Sequence, residues 1–156
     1  EYVTAIRAGL SDVTWPGRCQ KLQDAPAVYL DGAINAESAE LLIQSLEGRL
    51  HAPVVSIIAV PNDKDYNGVY AALGKVSQSV ILTETNRNPI LHWLPEDEAL
   101  EAARTHNNDV RYAKALADAV EQAKAQVGTA GTILIVGTQS IVADATALWG
   151  KSYEVI

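Results

Sequence analysis

The sequence contains no methionine and no phenylalanine, a single cysteine, and fewer basic than acidic residues. Each shortage excludes something. Cys19 alone cannot form an internal disulfide, which fits a reducing compartment and points to the cytoplasm, or to the mitochondrion in a eukaryote. Twelve Lys and Arg against nineteen Asp and Glu leave a net charge of −7. No basic surplus is available to neutralise phosphates, so a nucleic-acid partner is not expected. A small anion held by one or two local cations stays compatible with that charge. No apolar run approaches the roughly 20 residues that a bilayer span needs, so a membrane partner is not expected either. The opening "EYVTAIRAGL" lacks the charged start and apolar stretch of a secretory signal. Without methionine the chain has no initiator. It is expected to be processed or, preferably, to be a piece of a longer protein.

What is present is an ordinary globular composition, 48% hydrophobic and 20% charged over 156 residues. That length suits one domain and a core that buries roughly 68–70% of the unfolded surface. Residues 28–31 (VYLD) predict a strand. Residues 36–50 predict a helix with Ala39, Leu42, Ile43, Leu46 and Leu50 on one stripe, Asn35 as N-cap and Glu37 in the first turn. "PVVSIIAVP" (53–61) lacks alternation, as expected of a strand covered on both faces. A helix near 67–75, a strand at 78–84 and a helix opening after Pro95 follow. Residues 109–127 predict the longest helix, with Val110, Ala113, Leu116, Ala117, Val120, Ala123 and Val127 in one stripe and Gly128 and Gly131 ending it. A strand at 132–138 and a helix at 139–150 close the chain. This alternation predicts an α/β fold with a mainly parallel sheet and helices on both faces. "GRCQKLQDAPAVYL" adds one antiparallel strand around 18–23. In such sheets ligands gather at the carboxyl ends of the strands. Asp31 and the loops 61–65, 83–87 and 137–140 lie there.

Several motifs have dull readings. "ATALWGKS" (145–152) fits a relaxed phosphate loop, but it lies inside a helix rather than between strand and helix, where backbone N–H groups could meet a phosphate. No G-x-G-x-x-G is present. His51, His92 and His106 are far apart and have no metal-ligand spacing. Cys19 reads as a small hydrophobe in a strand. "DKD" (63–65) is a polar turn, or a lysine placed at a strand's carboxyl end. Asp31 is a strand-ending acid that caps the next turn, or an acid facing a ligand's hydroxyls. "WPGR" (15–18) is a tight turn ending in Arg18, whose planar fork suits phosphate.

Together, "GL" (9–10), "WPGRCQ" (15–20) and "DGAIN" (31–35) resemble the carboxyl-terminal domain of the folylpolyglutamate synthase and dihydrofolate synthase family of the Mur ligase superfamily. Its members read G-L, then W-P-G-R-x-E or Q, then D-G-A-H-N-P. "PNDKDYNGVYAAL" and "GTILIVGTQSIVADA" are similar to later family segments, and the likeness covers nearly the whole chain. The resemblance implies a Rossmann-like three-layer sandwich with a sheet of about six strands. It also implies an ATP-dependent ligase that joins L-glutamate to folate or dihydropteroate through an acyl phosphate. The family's phosphate loop and magnesium ligands lie in a preceding central domain, so residues 1–156 are expected to be one carboxyl-terminal domain, inactive alone. ATP and Mg2+ are then held mainly by that other domain of the same polypeptide. Residue by residue, Arg18 corresponds to the arginine on the ATP phosphates and Asp31 to the acid on the nucleotide, as at its ribose. Asn35, Lys64 and Asp65 are further candidates for substrate or nucleotide contacts, with no role assigned. No catalytic side chain and no metal ligand is expected in this chain.

Ile34 departs from the family histidine and Ala36 from the family proline. Isoleucine neither donates a hydrogen bond nor carries charge. Three readings stay open: a slower enzyme relying on Arg18, a divergent paralogue, or a lost ligase. Rival functions are a Mur-type amide ligase with another acceptor and a non-catalytic Rossmann-like binding module.

Overall fold

The computed structural model describes residues 18–151. The "GL" pair at 9–10 and Trp15 to Gly17 lie outside the described residues. Six strands form one sheet in the order β1-β2-β6-β3-β4-β5. They are β1 (Gln20–Asp24), β2 (Ala27–Asp31), β3 (Val54–Ala59), β4 (Ser79–Leu82), β5 (Val110–Tyr112) and β6 (Thr132–Gly137). Only β1 runs antiparallel, hairpinned onto β2 with Gln20 opposite Leu30. The other pairings are parallel.

Every residue of β2, β3, β4 and β6 is buried. Alternation is missing because helices cover both faces. Tyr29, Ile58, Leu82 and Leu134 point into one core layer, under α1 (Ala36–Ser45), α2 (Tyr66–Gly74) and α3 (Glu96–Arg104). Val28, Leu30, Ile57, Ile81 and Ile135 point into the other, under α4 (Leu116–Val127) and α5 (Gln139–Leu148). The three layers and the single antiparallel strand are those the sequence predicts. Among the described residues no helix is long and apolar enough to cross a membrane.

Three boundaries differ from expectation. The helix predicted over 36–50 ends at Ser45, with Leu46 as its C-cap and Gly48 at φ +81. Leu46 is still buried and Leu50 still packs on the core, but they do so from a turn. The predicted helix over 109–127 is two elements. Val110, Arg111 and Tyr112 pair with Val80, Ile81 and Leu82 as an edge strand, and the helix begins only at Leu116. Val110 and Ala113 share a helical stripe on paper but enter opposite core layers. Cys19 is not a strand residue. It forms the bend before β1 at φ +48, a left-handed conformation that a side chain adopts at a cost of about 1–2 kcal/mol. The stretch 145–151 belongs to α5 and its end, so Ala145 to Leu148 sit within helix rather than after a strand.

Candidate functional site

The carboxyl ends of the parallel strands gather the turns that carry most of the candidate residues. At one edge is Asp31, the last residue of β2 and 9% exposed. Its Oδ1 accepts the Cys19 N–H at 2.8 Å, and the Ala33 N–H also bonds to it. The acid therefore caps the turn that follows it and holds the bend that leads into β1. The left-handed Cys19 conformation aims that N–H at the carboxylate.

Arg18 stands one residue before this bend and is exposed. The structure thus brings Arg18 and Asp31 to one rim, close enough for the guanidinium charge to act on the acid. Arg18 also opens onto a groove of about 460 Å³ shared with Lys21, Arg49 and His51. Asp24 also lines this groove and pairs with Lys21 at 3.1 Å, which leaves Arg18 and Arg49 as its cations without an ion-paired acid among the described residues.

Burial pushes the Asp31 carboxyl above its ordinary value of 3.8, against the opposing pull of the Cys19 and Ala33 N–H groups and the Arg18 charge. A raised value means that the native state keeps this proton to higher pH than the unfolded chain does. Stability therefore falls as pH rises from 3.8 through the raised value, and levels off above it. Asp31→Asn keeps an acceptor for the Cys19 N–H and removes the buried charge. Thermal unfolding is expected to show a melting temperature at neutral pH equal to or above that of the unsubstituted chain. It should also show a flatter profile just above the aspartate range. A drop of several degrees at neutral pH would assign the ionised carboxylate a structural role instead.

The turn after Asp31 is built from its own backbone. Asn35 is the N-cap of α1, and its Oδ1 accepts the Ser38 N–H at 2.8 Å while the Ser38 hydroxyl faces back to the Asn35 N–H at 3.3 Å. This reciprocal box satisfies donors that the first helical turn leaves open. Ile34 is half-buried. Its N–H donates to Ser38 Oγ at 3.2 Å and its carbonyl accepts the Asp65 N–H at 3.2 Å. Asp65 caps α2 and also reaches α1, so the 31–35 and 61–65 turns meet. The side chains of Asn35 and Asp65 are thus committed to helix starts. Lys64 lies on the same turn, exposed, and its ammonium has no partner among the described residues.

A second cluster lies farther along the same end of the sheet. Glu84, Thr85 and Arg87 belong to the 83–87 loop expected at this end, whereas Asp144 does not stand out in the sequence. Asp144 of α5 takes the Thr85 hydroxyl and, at 2.6 Å, the Arg87 Nε–H. The Trp93 Nε1–H donates to the Thr85 carbonyl at 3.1 Å. The Tyr112 hydroxyl donates to Glu84 Oε2 at 2.6 Å, and burial together with that acid pushes its pKa up. Asp144 is 57 residues from Arg87, so no local spacing announces the pair. Among the described residues no group of three or more His, Cys, Asp or Glu is arranged to hold a metal ion.

Comparison with known proteins gives consistent results. The family model of the Mur ligase glutamate ligase domain matches residues 17–139. A dihydrofolate synthase/folylpolyglutamate synthase of Mycobacterium tuberculosis is 37% identical over 128 residues, covering 81% of this chain and 26% of that protein. The structure of M. tuberculosis folylpolyglutamate synthase complexed with ADP and AMPPCP superposes with a TM-score of 0.78 at 31% identity, over 96% of this chain and 35% of that one. A bifunctional folylpolyglutamate synthase/dihydrofolate synthase with Mn, AMPPNP and L-glutamate bound gives a TM-score of 0.76 at 25% identity, over 94% of this chain and 34% of that one. The chain spans about a quarter to a third of the length of these relatives.

Proposed function

The chain belongs to the glutamate ligase domain family of the Mur ligases, and from that premise we propose that it serves as the carboxyl-terminal domain of an ATP-dependent ligase that adds L-glutamate to a folate or dihydropteroate in the cytoplasm. The observation that carries this reading is the shared rim of Arg18 and Asp31 at the carboxyl ends of the strands. It belongs to a chain whose solved relatives bind ADP, AMPPCP or AMPPNP. In this reading another domain of the same polypeptide supplies the phosphate loop and holds the magnesium.

The residues here fit a nucleotide at that rim. Arg18 is exposed, permanently charged and able to present two parallel N–H groups to phosphate oxygens. Asp31 is an acceptor already fixed by backbone donors, which suits a sugar hydroxyl. Arg49, on the groove beside Arg18, adds a second positive charge. Bound ATP supplies a phosphoryl group that activates the acceptor acid for attack by the glutamate amine. The chain's own contribution is to orient the nucleotide and to offset the negative charge that grows during transfer. Lys64 is the remaining free cation on the adjoining turn and is assigned a further contact to nucleotide or substrate.

Phosphate release by the complete ligase, with ATP, glutamate and either dihydropteroate or a folate, tests this. Release that needs all three supports the reading and tells synthase from polyglutamate activity. Release only with a cell-wall peptide acceptor would move the chain to another Mur-type ligase, and no release with any acceptor would leave a binding module.

Ile34 bears on the rate. Its backbone, not its side chain, fixes the turn. Ile34→His is therefore expected to fold, with a melting temperature within a few degrees of the parent, and to preserve or raise turnover. Unfolding of this variant would make Ile34 a core residue.

A further inference from the structure

One carboxylate lies between two helix starts. Asp65 Oδ1 accepts the Gly68 N–H at 3.1 Å and so caps α2. Its Oδ2 accepts the N–H of Ala36, the first residue of α1, at 3.0 Å. Its own N–H donates to the Ile34 carbonyl at 3.2 Å. The turn that leaves β2 at Asp31 is thus tied to the next loop on both sides of Asn35. Space has been kept for this arrangement. A Cβ on Gly68 would fall 2.1 Å from Asp65 Oδ2 and 2.8 Å from the Ala36 Cβ. Glycine is present there for room, since its φ lies outside the left-handed region. Both helix starts present open N–H groups and the positive end of a dipole, so an acid shared between them gains from each.

We propose that Asp65 is a positioning residue that latches the Asp31–Asn35 turn to the Lys64 turn through the Ala36 N–H, and so fixes where Asp31 meets its ligand. The kinetic part of this claim rests on the nucleotide reading of Asp31, while the structural part does not. Both Asp65 oxygens are spent on helix starts in two separate loops, so its removal loosens the turn that carries Asp31. Its effect on the reaction therefore travels through the turn. If Asp31 holds bound nucleotide in the ground state, loosening the turn raises KM for ATP more than it lowers kcat.

The test has two arms. In the first, backbone hydrogen exchange of the 156-residue chain is followed by NMR. Asp65→Ala is expected to speed exchange at Ala36 and Gly68 by about tenfold or more, the scale for losing a charge-assisted bond, with the Leu134 amide much less affected. Asp65→Asn keeps one carbonyl acceptor and is expected to recover protection at one of the two amides. No selective change at Ala36 would overturn the latch. This arm stands even if the complete ligase shows no ATP turnover, which separates a failed latch from a failed function.

The second arm uses the complete ligase. Asp65→Ala should raise KM for ATP about tenfold while kcat stays within about threefold. Ala36→Pro removes the donor that the latch needs, so Asp65→Ala made in that background should raise KM by about threefold or less. An unchanged KM in Asp65→Ala, or an equal rise with and without Ala36→Pro, would overturn the kinetic part of the proposal, while the exchange arm decides the latch itself. The second result would mean that Asp65 touches nucleotide or substrate itself.

Discussion

Arg18→Ala is expected to lower kcat/KM of the complete ligase about a hundredfold or more, the scale for removing one donor from developing charge at a reacting centre. The fold should survive. Arg18 is exposed and its side chain makes no ion pair or hydrogen bond among the described residues, so the side chain marks the structure through its charge. That mark offers a second reading of the same variant on the 156-residue chain. The Arg18 charge pulls the Asp31 pKa down against burial. Its removal must move the Asp31 titration to still higher pH, which carboxyl NMR shifts would follow. Arg18→Lys keeps the charge but loses the planar fork, and should recover only part of the activity. Activity within a few-fold of the parent in Arg18→Ala would remove Arg18 from the nucleotide site.

Gly137→Ala should have the largest effect on stability. Gly137 ends β6 and pairs with Ala59 of β3 in the middle of the sheet. A Cβ there would lie 2.0 Å from the Ala59 carbonyl oxygen, 2.8 Å from its carbon and 3.0 Å from Ile141 Cγ2. Two of these are backbone atoms in a paired strand, which cannot swing aside. The same Ala59 carbonyl accepts the Thr138 N–H at 3.2 Å, so relief by movement would disturb the start of α5. A cost of about 3 kcal/mol or more is expected, lowering the melting temperature by about 6–12 °C in a chain of this length. Gly128→Ala is the control. Gly128 has φ +63 and ψ −139 with nothing within 4 Å of an added Cβ, so its cost is backbone strain alone, about 1–3 kcal/mol. Equal melting temperatures for the two variants would show that the sheet end is more compliant than its packing implies.

The layered α/β plan was legible because the buried strands are runs of β-branched residues between turn formers, and because Asn35 and Gly128 mark helix ends. The short edge strand was not. Val110, Arg111 and Tyr112 continue the spacing of α4 by coincidence, and three residues are too few for alternation to register. The Asn-Asn-Asp run at 107–109 and the β-prone Val and Tyr were the available signals. In the 36–50 stretch, Gly48 announced the early end while the apolar spacing ran on past it. The rim of Arg18 and Asp31 was suggested by motif, and the structure adds the Cys19 bend that joins them. The double cap by Asp65 had no signal, because its second partner is the Ala36 N–H, 29 residues away. Thr85 and Arg87 lie in the 83–87 loop expected at the ligand end, but their link to Asp144 stayed hidden for the same reason. Sequence spacing reports neighbours on one element, whereas these contacts depend on how the ends of separate elements are brought together.

The most direct measurement is the structure of the complete ligase with a non-hydrolysable ATP analogue. The account predicts the Arg18 guanidinium within hydrogen-bonding distance of a phosphate oxygen, and the Asp31 carboxylate on a ribose hydroxyl of the same molecule. A nucleotide that touches neither residue, with the rim facing solvent, would contradict it.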